Sequence, residues 1–549
     1  MRKPLLSLLC LLLIACLLFA GCKKKTDPAP EQPADATPTD TTPTDTTYKL
    51  TEHYLPENVS AALALALEQE PANFADASAK KTDEADRVPY VINDVFTLSD
   101  CRVKSITIPV HHTGKADRGG NFTFTIFIGG NTHDTLQTEP TRVIQIALNG
   151  EEYGLVANSN ERRIITVDLE QYNITLGADE TMGFCSPDDT VIPVMIPASD
   201  TPFGTYFRQN FDATTTLMRV YSNVTWSKAD EDHHGLTECA LPLDFELERT
   251  WESKDAYDAE VAAAAAAEAE YQRKLTAVRE YYRGKNLSLM GDSISTYSGV
   301  TNNAAVNSTL ALNAVYYPAN GVYRDYTTTY WGTVKTLLEM DLCVINAWSG
   351  SKTYGSETKS WVDNMPERAD QLHTDGGKQP DLIIVNMGIN DILTSPFGDL
   401  PTILANAEDK QAAFATWYTG VLATAATTGD DLIPGTTWTD WFAAYALGIK
   451  IVKETYPNAD IRCMTLMESY HGSGKDKSKI DQADLCISTI AEYFGVKLID
   501  QRQNGYITKE NGLIYCNDTG VYGLHPNLRG HKMMARCIIE ELYKYLPTA

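Results

Sequence analysis

Residues 287–293 read Leu-Ser-Leu-Met-Gly-Asp-Ser, and this stretch decides the fold of the C-terminal half of the chain. A short apolar run that stops at a glycine and polar residues is typical of a buried strand followed by a loop. Comparable runs follow at residues 342–345, 382–385, 461–466 and 496–500, with helical patterns between several of them. Strands that alternate with helices predict a parallel sheet covered by helices on both faces.

Polar or glycine positions follow three of these predicted strands, namely Ser293, Gly350 and Asn390. In an open parallel sheet the ligand crevice lies beyond the carboxyl ends of the strands. We therefore expect these three residues on the same side of the sheet. Taken singly, Gly350 also fits a tight turn and Asn390 a helix cap, so their joint occurrence carries the prediction.

A serine hydroxyl is a poor nucleophile unless a neighbouring base takes its proton, and imidazole suits that task near neutral pH. The histidines of this half are His373, His471, His525 and His531. His373 lies at a predicted helix end and His531 inside the last helix, where solvated or structural roles are expected. His525 precedes Pro526, which fits the first turn of a helix. We predict that His525 is the base.

With these residues in this order, residues 285–549 resemble the SGNH/GDSL hydrolase family, whose four name-giving residues fall on Ser293, Gly350, Asn390 and His525. The resemblance implies an α/β fold with a three-layer, flavodoxin-like parallel sheet. It also implies a serine esterase that forms an acyl-enzyme on Ser293, with no cofactor and no metal. The oxyanion hole would consist of the backbone N–H groups of Ser293 and Gly350 and the side-chain amide of Asn390.

One position departs from the family pattern. Family members usually carry an aspartate three residues before the histidine, where this chain has Tyr522. Either a backbone carbonyl or Asp518, as a possible third catalytic member, would then orient the ring of His525. Asp391 lies within a motif and is either a substrate contact or a residue that fixes the loop.

The sequence favours a sugar-bearing substrate. The predicted loop 295–325 is rich in Asn, Thr and Tyr, and Trp348 stands two residues before Gly350. Such side chains suit the faces and hydroxyls of sugars better than long acyl chains, although Trp348 fits a core position equally well. We expect an esterase that removes acyl groups, most simply acetyl, from a carbohydrate or polysaccharide.

Three alternatives to this function stay open. The first is a lipid or thioester hydrolase, which would share every catalytic residue. The second is a peptidoglycan acetylesterase, which would share even the acetyl preference. The third, suggested by Tyr522, is a glycan-binding lipoprotein whose hydrolase domain has decayed.

The N-terminus predicts export and lipid attachment. Residues 1–22 combine a basic start with an apolar run that is short for a membrane span of ~20 residues, and they end in Leu-Phe-Ala-Gly-Cys. This ending resembles the bacterial lipobox, so Cys22 is expected to carry lipid and to anchor the protein in the bacterial cell envelope. Which membrane face it occupies is open. Residues 23–47 are rich in Pro, Thr and Asp, which is typical of a disordered spacer.

Charge limits the set of partners. The formal net charge of −26 would repel phosphate backbones, which makes nucleic acid an unlikely partner. The cysteines after Cys22 are widely scattered, without a CxxC pair or metal-ligand spacing.

Residues 48–250 differ from the C-terminal half. Apolar residues alternate there in short segments, for example at 122–126 and 165–169, and glycine-containing turns separate the segments. This period of two predicts strands, and their number and spacing predict an antiparallel β-sandwich as an accessory domain. Residues 251–284 are rich in alanine and predict a long linking helix that stops at Gly284.

Overall fold

A computed structural model describes the following residues of the chain: 47–53, 75–76, 90–92, 101–112, 122–129, 141–155, 162–177, 180–185, 191–197, 219–221, 239–240, 244–301, 315–317, 319, 323, 325–354, 365–427, 440–467, 477–508, 515–516, 524–526 and 528–547. The predicted export signal with Cys22 lies outside these residues, as does nearly all of the predicted spacer.

The N-terminal half consists of antiparallel strands. In chain order the strands are β1 (Tyr48–His53), β2 (Ala75–Asp76), β3 (Tyr90–Ile92), β4 (Cys101–His112), β5 (Phe122–Gly129), β6 (Arg142–Leu148), β7 (Arg162–Asp168), β8 (Ile174–Leu176), β9 (Thr181–Cys185), β10 (Val191–Pro197), β11 (Arg219–Tyr221), β12 (Cys239–Ala240) and β13 (Asp244–Trp251). One sheet has eight strands. Five of them follow the order β1-β13-β4-β10-β12, while β2 pairs with β10, and β7 and β8 pair with β4. The other sheet has the order β11-β3-β9-β5-β6.

One buried apolar cluster contains residues from both sheets. Ile106 of β4 and Phe245 of β13 come from the first sheet, and Ile126 of β5 and Ile146 of β6 come from the second. These residues belong to the alternating segments of the sequence, so the strand prediction is confirmed for the described residues.

The alanine-rich segment forms helix α1 (Lys254–Tyr282), as predicted. Gly284 follows it with a φ of 71°, a left-handed conformation that glycine adopts without steric cost. The chain divides into two compact units, and the boundary falls inside this helix between Gln272 and Arg273.

The C-terminal half contains a five-stranded parallel sheet. Its strands are β14 (Asn286–Gly291), β15 (Asp341–Ala347), β16 (Leu382–Asn386), β17 (Asp460–Met464) and β18 (Lys497–Ile499). They lie in the order β15-β14-β16-β17-β18, all parallel. In chain order this is 2-1-3-4-5, the order of flavodoxin-like sheets. The predicted fold class of the C-terminal half is confirmed.

Helices connect these strands. They are α2 (Tyr330–Leu337), α3 (Met365–Arg368), α4 (Ile389–Thr394), α5 (Leu400–Asn406), α6 (Lys410–Thr427), α7 (Trp441–Thr455), α8 (Lys477–Tyr493), α9 (Gln501–Asn504) and α10 (Leu528–Tyr543). Helix α2 packs against α10, whereas α8 packs against α5, α6 and α7. Among the helices in the described part of the chain, none is both long and apolar enough to cross a membrane.

A buried serine accommodates an irregularity between β14 and β15. The pairing runs from Leu287 with Leu342 to Leu289 with Ile345, so β15 contains one residue more than β14 in this interval. The hydroxyl of Ser288 accepts a hydrogen bond from the backbone N–H of Val344 at 3.2 Å and donates to the carbonyl of Leu372 at 2.7 Å. Because Ser288 is fully buried, its hydroxyl provides both backbone groups with a hydrogen-bond partner inside the protein.

We predict that Ser288→Ala lowers the free energy of unfolding by about 1–3 kcal/mol, because a buried N–H and a buried carbonyl would lose a partner. Urea unfolding followed by circular dichroism measures this change. Thr416→Ala is the control, since its hydroxyl lies on the exposed side of α6 and donates only to the carbonyl of Ala412 within the helix. Equal stability of the two variants would contradict the role given to Ser288.

Candidate active site

Ser293 begins a short 3-10 turn directly beyond the carboxyl end of β14, an interior strand of the sheet. Asp292 caps this turn, because its carboxylate accepts a hydrogen bond from the backbone N–H of Ile294 at 3.1 Å. Gly291 is required at the strand end, since a Cβ there would overlap the hydroxyl of Ser295. Strand end and cap together fix the direction of the Ser293 side chain, which is buried.

His525 meets Ser293 across 232 residues of sequence. Its Nε2 lies 2.8 Å from the Ser293 Oγ, a hydrogen-bond distance suited to proton transfer from the hydroxyl to the ring. The next residue, Pro526, accepts hydrogen bonds on its carbonyl from the hydroxyls of Tyr317 at 2.9 Å and Tyr323 at 3.3 Å. These two buried tyrosines hold the segment that carries the imidazole.

Two other histidines of this half do not contact the serine in the structure. His531 is buried in α10, and its Nδ1 accepts the backbone N–H of Tyr330 at 3.1 Å. Burial, with a further contribution from the charge of His525, lowers the pKa of His531 to about 3, so this ring is neutral at physiological pH. His373 is exposed and its Nδ1 lies 3.0 Å from the hydroxyl of Tyr456. His471 lies outside the described residues.

Gly350 lies in the loop after β15, and its φ of 77° places it in the left-handed region. A Cβ at this position would meet no atom within 4 Å, so the backbone conformation rather than space explains the glycine. The next residue, Ser351, donates its hydroxyl to the carbonyl of Gly291 at 3.3 Å. The loop of Gly350 is thereby tied to the strand end that leads to the nucleophile.

Asn390 lies in the first turn of α4, after β16. Its side-chain amide donates to the carbonyl of Ser351 at 2.9 Å. An amide NH2 carries two hydrogens, so fixing one of them sets the direction of the second. Gly388 makes room for this turn, because its φ is 120° and a Cβ there would lie 2.6 Å from the ring of Trp441.

Asp391 joins the loop after β15 to the first turn of α4. Its buried carboxylate accepts the backbone N–H groups of Thr353 at 2.9 Å and Tyr354 at 3.3 Å, and the hydroxyl of Ser395 at 2.9 Å. Burial raises the pKa of Asp391 to about 6, and these hydrogen bonds oppose the rise. Of the two roles considered for Asp391, the contacts correspond to fixing the loop.

Trp348 and Asp391, the two possible substrate contacts, are both buried in the structure. Trp348 is 2% exposed and its ring lies 4.9 Å from the guanidinium of Arg368. Asp391 is 0% exposed and its carboxylate contacts protein groups. Both side chains therefore lie in the protein interior.

Asp518, the possible third catalytic member, belongs to a segment that the structure does not describe. Asp518 and Tyr522 both fall outside the described residues. The proposed third member therefore stays a prediction. Among the residues that are described, no three or more His, Cys, Asp and Glu side chains are grouped so as to hold a metal ion.

Tyr316 is a site residue that the sequence did not single out. Its ring is stacked on the imidazole of His525, with centroids 3.6 Å apart and planes 10° apart. Its backbone N–H donates to the hydroxyl of Thr296 at 2.8 Å, and that hydroxyl donates to the carbonyl of Ser293 at 2.8 Å. The polar, tyrosine-rich loop was visible in the sequence, but nothing there distinguished Tyr316 from its neighbours.

The family model for the GDSL-like lipase/acylhydrolase family matches residues 289–533. This range contains Ser293, Gly350, Asn390 and His525. No curated protein matches the chain.

Several solved structures are similar to this chain. A GDSL-like lipase from Bacteroides ovatus is 18% identical, with 48% of this chain and 99% of that chain covered and a TM-score of 0.30. A family two carbohydrate esterase from Clostridium thermocellum, in complex with cellohexaose, is 12% identical, with 83% and 91% covered and a TM-score of 0.25. A carbohydrate acetylesterase from Sinorhizobium meliloti is 12% identical, with 48% and 100% covered and a TM-score of 0.27.

Two observations agree on the class of this domain. The family model matches it, and a serine-histidine pair lies at the carboxyl edge of its 2-1-3-4-5 parallel sheet. Residues 289–533 form a GDSL-like lipase/acylhydrolase domain, the hydrolytic part of this chain.

Proposed function

We propose that the protein removes acetyl groups from a carbohydrate through an acyl-enzyme on Ser293. The observation that carries the catalytic part is the 2.8 Å contact between the Ser293 Oγ and the His525 Nε2. This intact pair supports an active enzyme over a decayed hydrolase domain.

The reaction follows from the positions of these groups. The Ser293 Oγ attacks the acyl carbonyl carbon while the His525 Nε2 takes the hydroxyl proton. Negative charge then develops on the former carbonyl oxygen, and the N–H groups of Ser293 and Gly350 and the amide of Asn390 are its proposed donors. Collapse breaks the ester bond, and the alcohol leaves with the proton from His525. A water molecule activated by His525 then hydrolyses the acyl-enzyme.

A short acyl group and a sugar alcohol suit the surroundings of this pair. The partly buried ring of Tyr316 lies against His525, so an aromatic side chain borders the base. In the described part of the C-terminal unit, the large apolar side chains with the greatest exposure are all tyrosines: Tyr281, Tyr493 and Tyr545. An exposed aliphatic surface for a long acyl chain is not found among the described residues of this unit. These features favour an acetyl ester over a lipid ester, whereas a peptidoglycan acetyl ester stays an alternative.

Substrate tests separate these possibilities. We expect faster turnover of p-nitrophenyl acetate than of p-nitrophenyl decanoate, and release of acetate from an acetylated plant polysaccharide but not from isolated O-acetylated peptidoglycan. Ser293→Ala should lower kcat by on the order of 10⁶, the loss seen when a serine protease loses its nucleophile. Ser298→Ala, which removes a hydroxyl from the same loop, serves as the control. A preference for decanoate would instead indicate a lipid esterase.

Asp292 gives the domain a pH-dependent stability. Burial raises the pKa of Asp292 to about 7, although the N–H of Ile294 and the charges of His525 and Arg368 act in the opposite direction. The protonated carboxyl is therefore favoured in the folded state relative to the unfolded chain. The stability from this group is fully present below its unfolded pKa of about 4 and is lost as the pH rises through about 7.

We predict that Asp292→Asn reduces the loss of unfolding free energy between about pH 4 and about pH 8, because this variant has no carboxyl to ionise. Thermal unfolding at several pH values measures the effect. Asp375→Asn, at an exposed position, should follow the wild-type pH dependence. A variant at position 292 with an unchanged pH dependence would show that folding does not raise the pKa of this carboxyl.

We also propose that the protein is held in the cell envelope by lipid on Cys22. Multiple acyl chains on one cysteine give stable anchoring, since each buried methylene contributes about 0.8 kcal/mol. The lipobox-like residues before Cys22 and the Pro/Thr/Asp-rich spacer after it support this placement.

Cys22→Ser should move the protein from the membrane fraction to the soluble fraction of a bacterial host. Cys16→Ser lies within the same apolar run and should leave the protein with the membrane. Immunoblots of the two fractions, with and without Triton X-114 phase separation, provide the measurement. Retention of the Cys22 variant in the detergent phase would exclude lipid on this cysteine as the anchor.

A further inference from the structure

A fully buried arginine lies beneath the proposed oxyanion hole. Arg368 ends the short helix α3 and is 0% exposed. Its Nη2 donates to the carbonyls of Gly291 at 2.8 Å and Asn346 at 2.7 Å, and its Nε donates to the Oδ1 of Asn346 at 2.8 Å. Its Nη1 donates to the hydroxyl of Ser351 at 3.1 Å. All three nitrogens of the guanidinium are therefore in use.

Burying a cation carries a large desolvation cost, and well-placed hydrogen bonds only partly compensate for it. An apolar side chain of similar volume is often as good or better for stability at such a position. The cation therefore calls for an explanation beyond stability. Its contacts provide one, because they join segments that the proposed reaction needs at fixed separations.

Two of these contacts, those with Gly291 and Ser351, lie close in sequence to proposed oxyanion donors. Gly291 comes two residues before Ser293, so its carbonyl fixes the backbone that presents the Ser293 N–H. Ser351 follows Gly350 directly, and its carbonyl accepts the amide of Asn390. The rigid fork of one guanidinium thus connects the backbone of Gly291 with the side chain of Ser351, one on each side of the proposed hole. The ring of Trp348 lies against one face of this guanidinium.

We infer that Arg368 is a positioning residue that sets the separation between the oxyanion donors of Ser293 and those of Gly350 and Asn390. This inference rests on the proposed function of the site. A displacement of about 1 Å in a catalytic group can cost about 100-fold in rate.

A second buried arginine offers a matched control. Arg462 of β17 is 1% exposed, donates through Nη2 to Asp460 at 2.7 Å, and lies 4.9 Å from the ring of Tyr545. It resembles Arg368 in burial and in its aromatic neighbour. Its partner Asp460 begins β17, at the opposite end of the strands from Ser293. Arg462 therefore reports what the loss of a buried guanidinium does to the fold alone.

The test compares Arg368→Met, Arg368→Lys and Arg462→Met in the full chain at a temperature well below their Tm values. We expect Arg368→Met to lower kcat on p-nitrophenyl acetate about 100-fold with KM changed less than about threefold. Phenylboronic acid forms a tetrahedral adduct on a catalytic serine, so its Ki should rise by a similar factor. Arg368→Lys keeps the charge but lacks the fork, and it should fall between Arg368→Met and wild type.

For Arg462→Met we expect a lower Tm with kcat and the boronic acid Ki unchanged. Wild-type kcat and Ki in a folded Arg368→Met or, if that variant does not fold, in Arg368→Lys would overturn the inference. So would equal losses of kcat in the Arg368 and Arg462 variants, which would indicate a structural role only. An inactive wild-type protein, or an active Ser293→Ala variant, would instead contradict the proposed function itself.

Discussion

The parallel pairing of β14 with its two neighbours is the constraint on which the active site depends. Gly291 at the end of β14 pairs with Ala347 of β15 and with Asn386 of β16. Three strands therefore end side by side, and the loops that follow them carry Ser293, Gly350 and Asn390. Because a strand advances about 3.3 Å per residue, a register shift of two residues would move a donor by more than 6 Å. No local adjustment of a loop could recover such a displacement.

Buried polar groups maintain this arrangement where apolar packing alone would leave it undetermined. Ser288 gives a partner to the extra residue of β15, and Asp391 joins the loop after β15 to the first turn of α4. Arg368 connects the loop after β15 to the end of β14. Apolar contacts are non-directional, whereas hydrogen bonds fix distances and angles. Apolar packing thus stabilises the body of the sheet, whereas hydrogen bonds of buried polar groups fix the positions of the loops at its carboxyl edge.

Contacts other than the strand pairing position the base, His525. His525 comes from the segment before α10, and two tyrosine hydroxyls on the Pro526 carbonyl hold that segment in place. Tyr316 stacks on the ring and is linked to Ser293 through Thr296. Nucleophile and base are therefore joined by contacts within the polar loop as well as by their own hydrogen bond. This explains why that loop contains so many tyrosines: several of them are structural.

The sequence by itself determined the features that depend on residues near one another in the chain. Apolar runs ended by polar residues identified the parallel strands, period-two alternation identified the antiparallel strands, and alanine content identified α1. The order of strand-end residues also identified the serine-histidine pair and the family. The tertiary structure alone decided which side chains are buried: Trp348 and Asp391 were considered as substrate contacts, yet both lie in the interior. It also revealed Tyr316 and Arg368, whose roles depend on partners as far as 209 and 77 residues away in the sequence. Burial and long-range contacts arise from how strands and helices pack, and a single sequence carries no periodic signal for that packing.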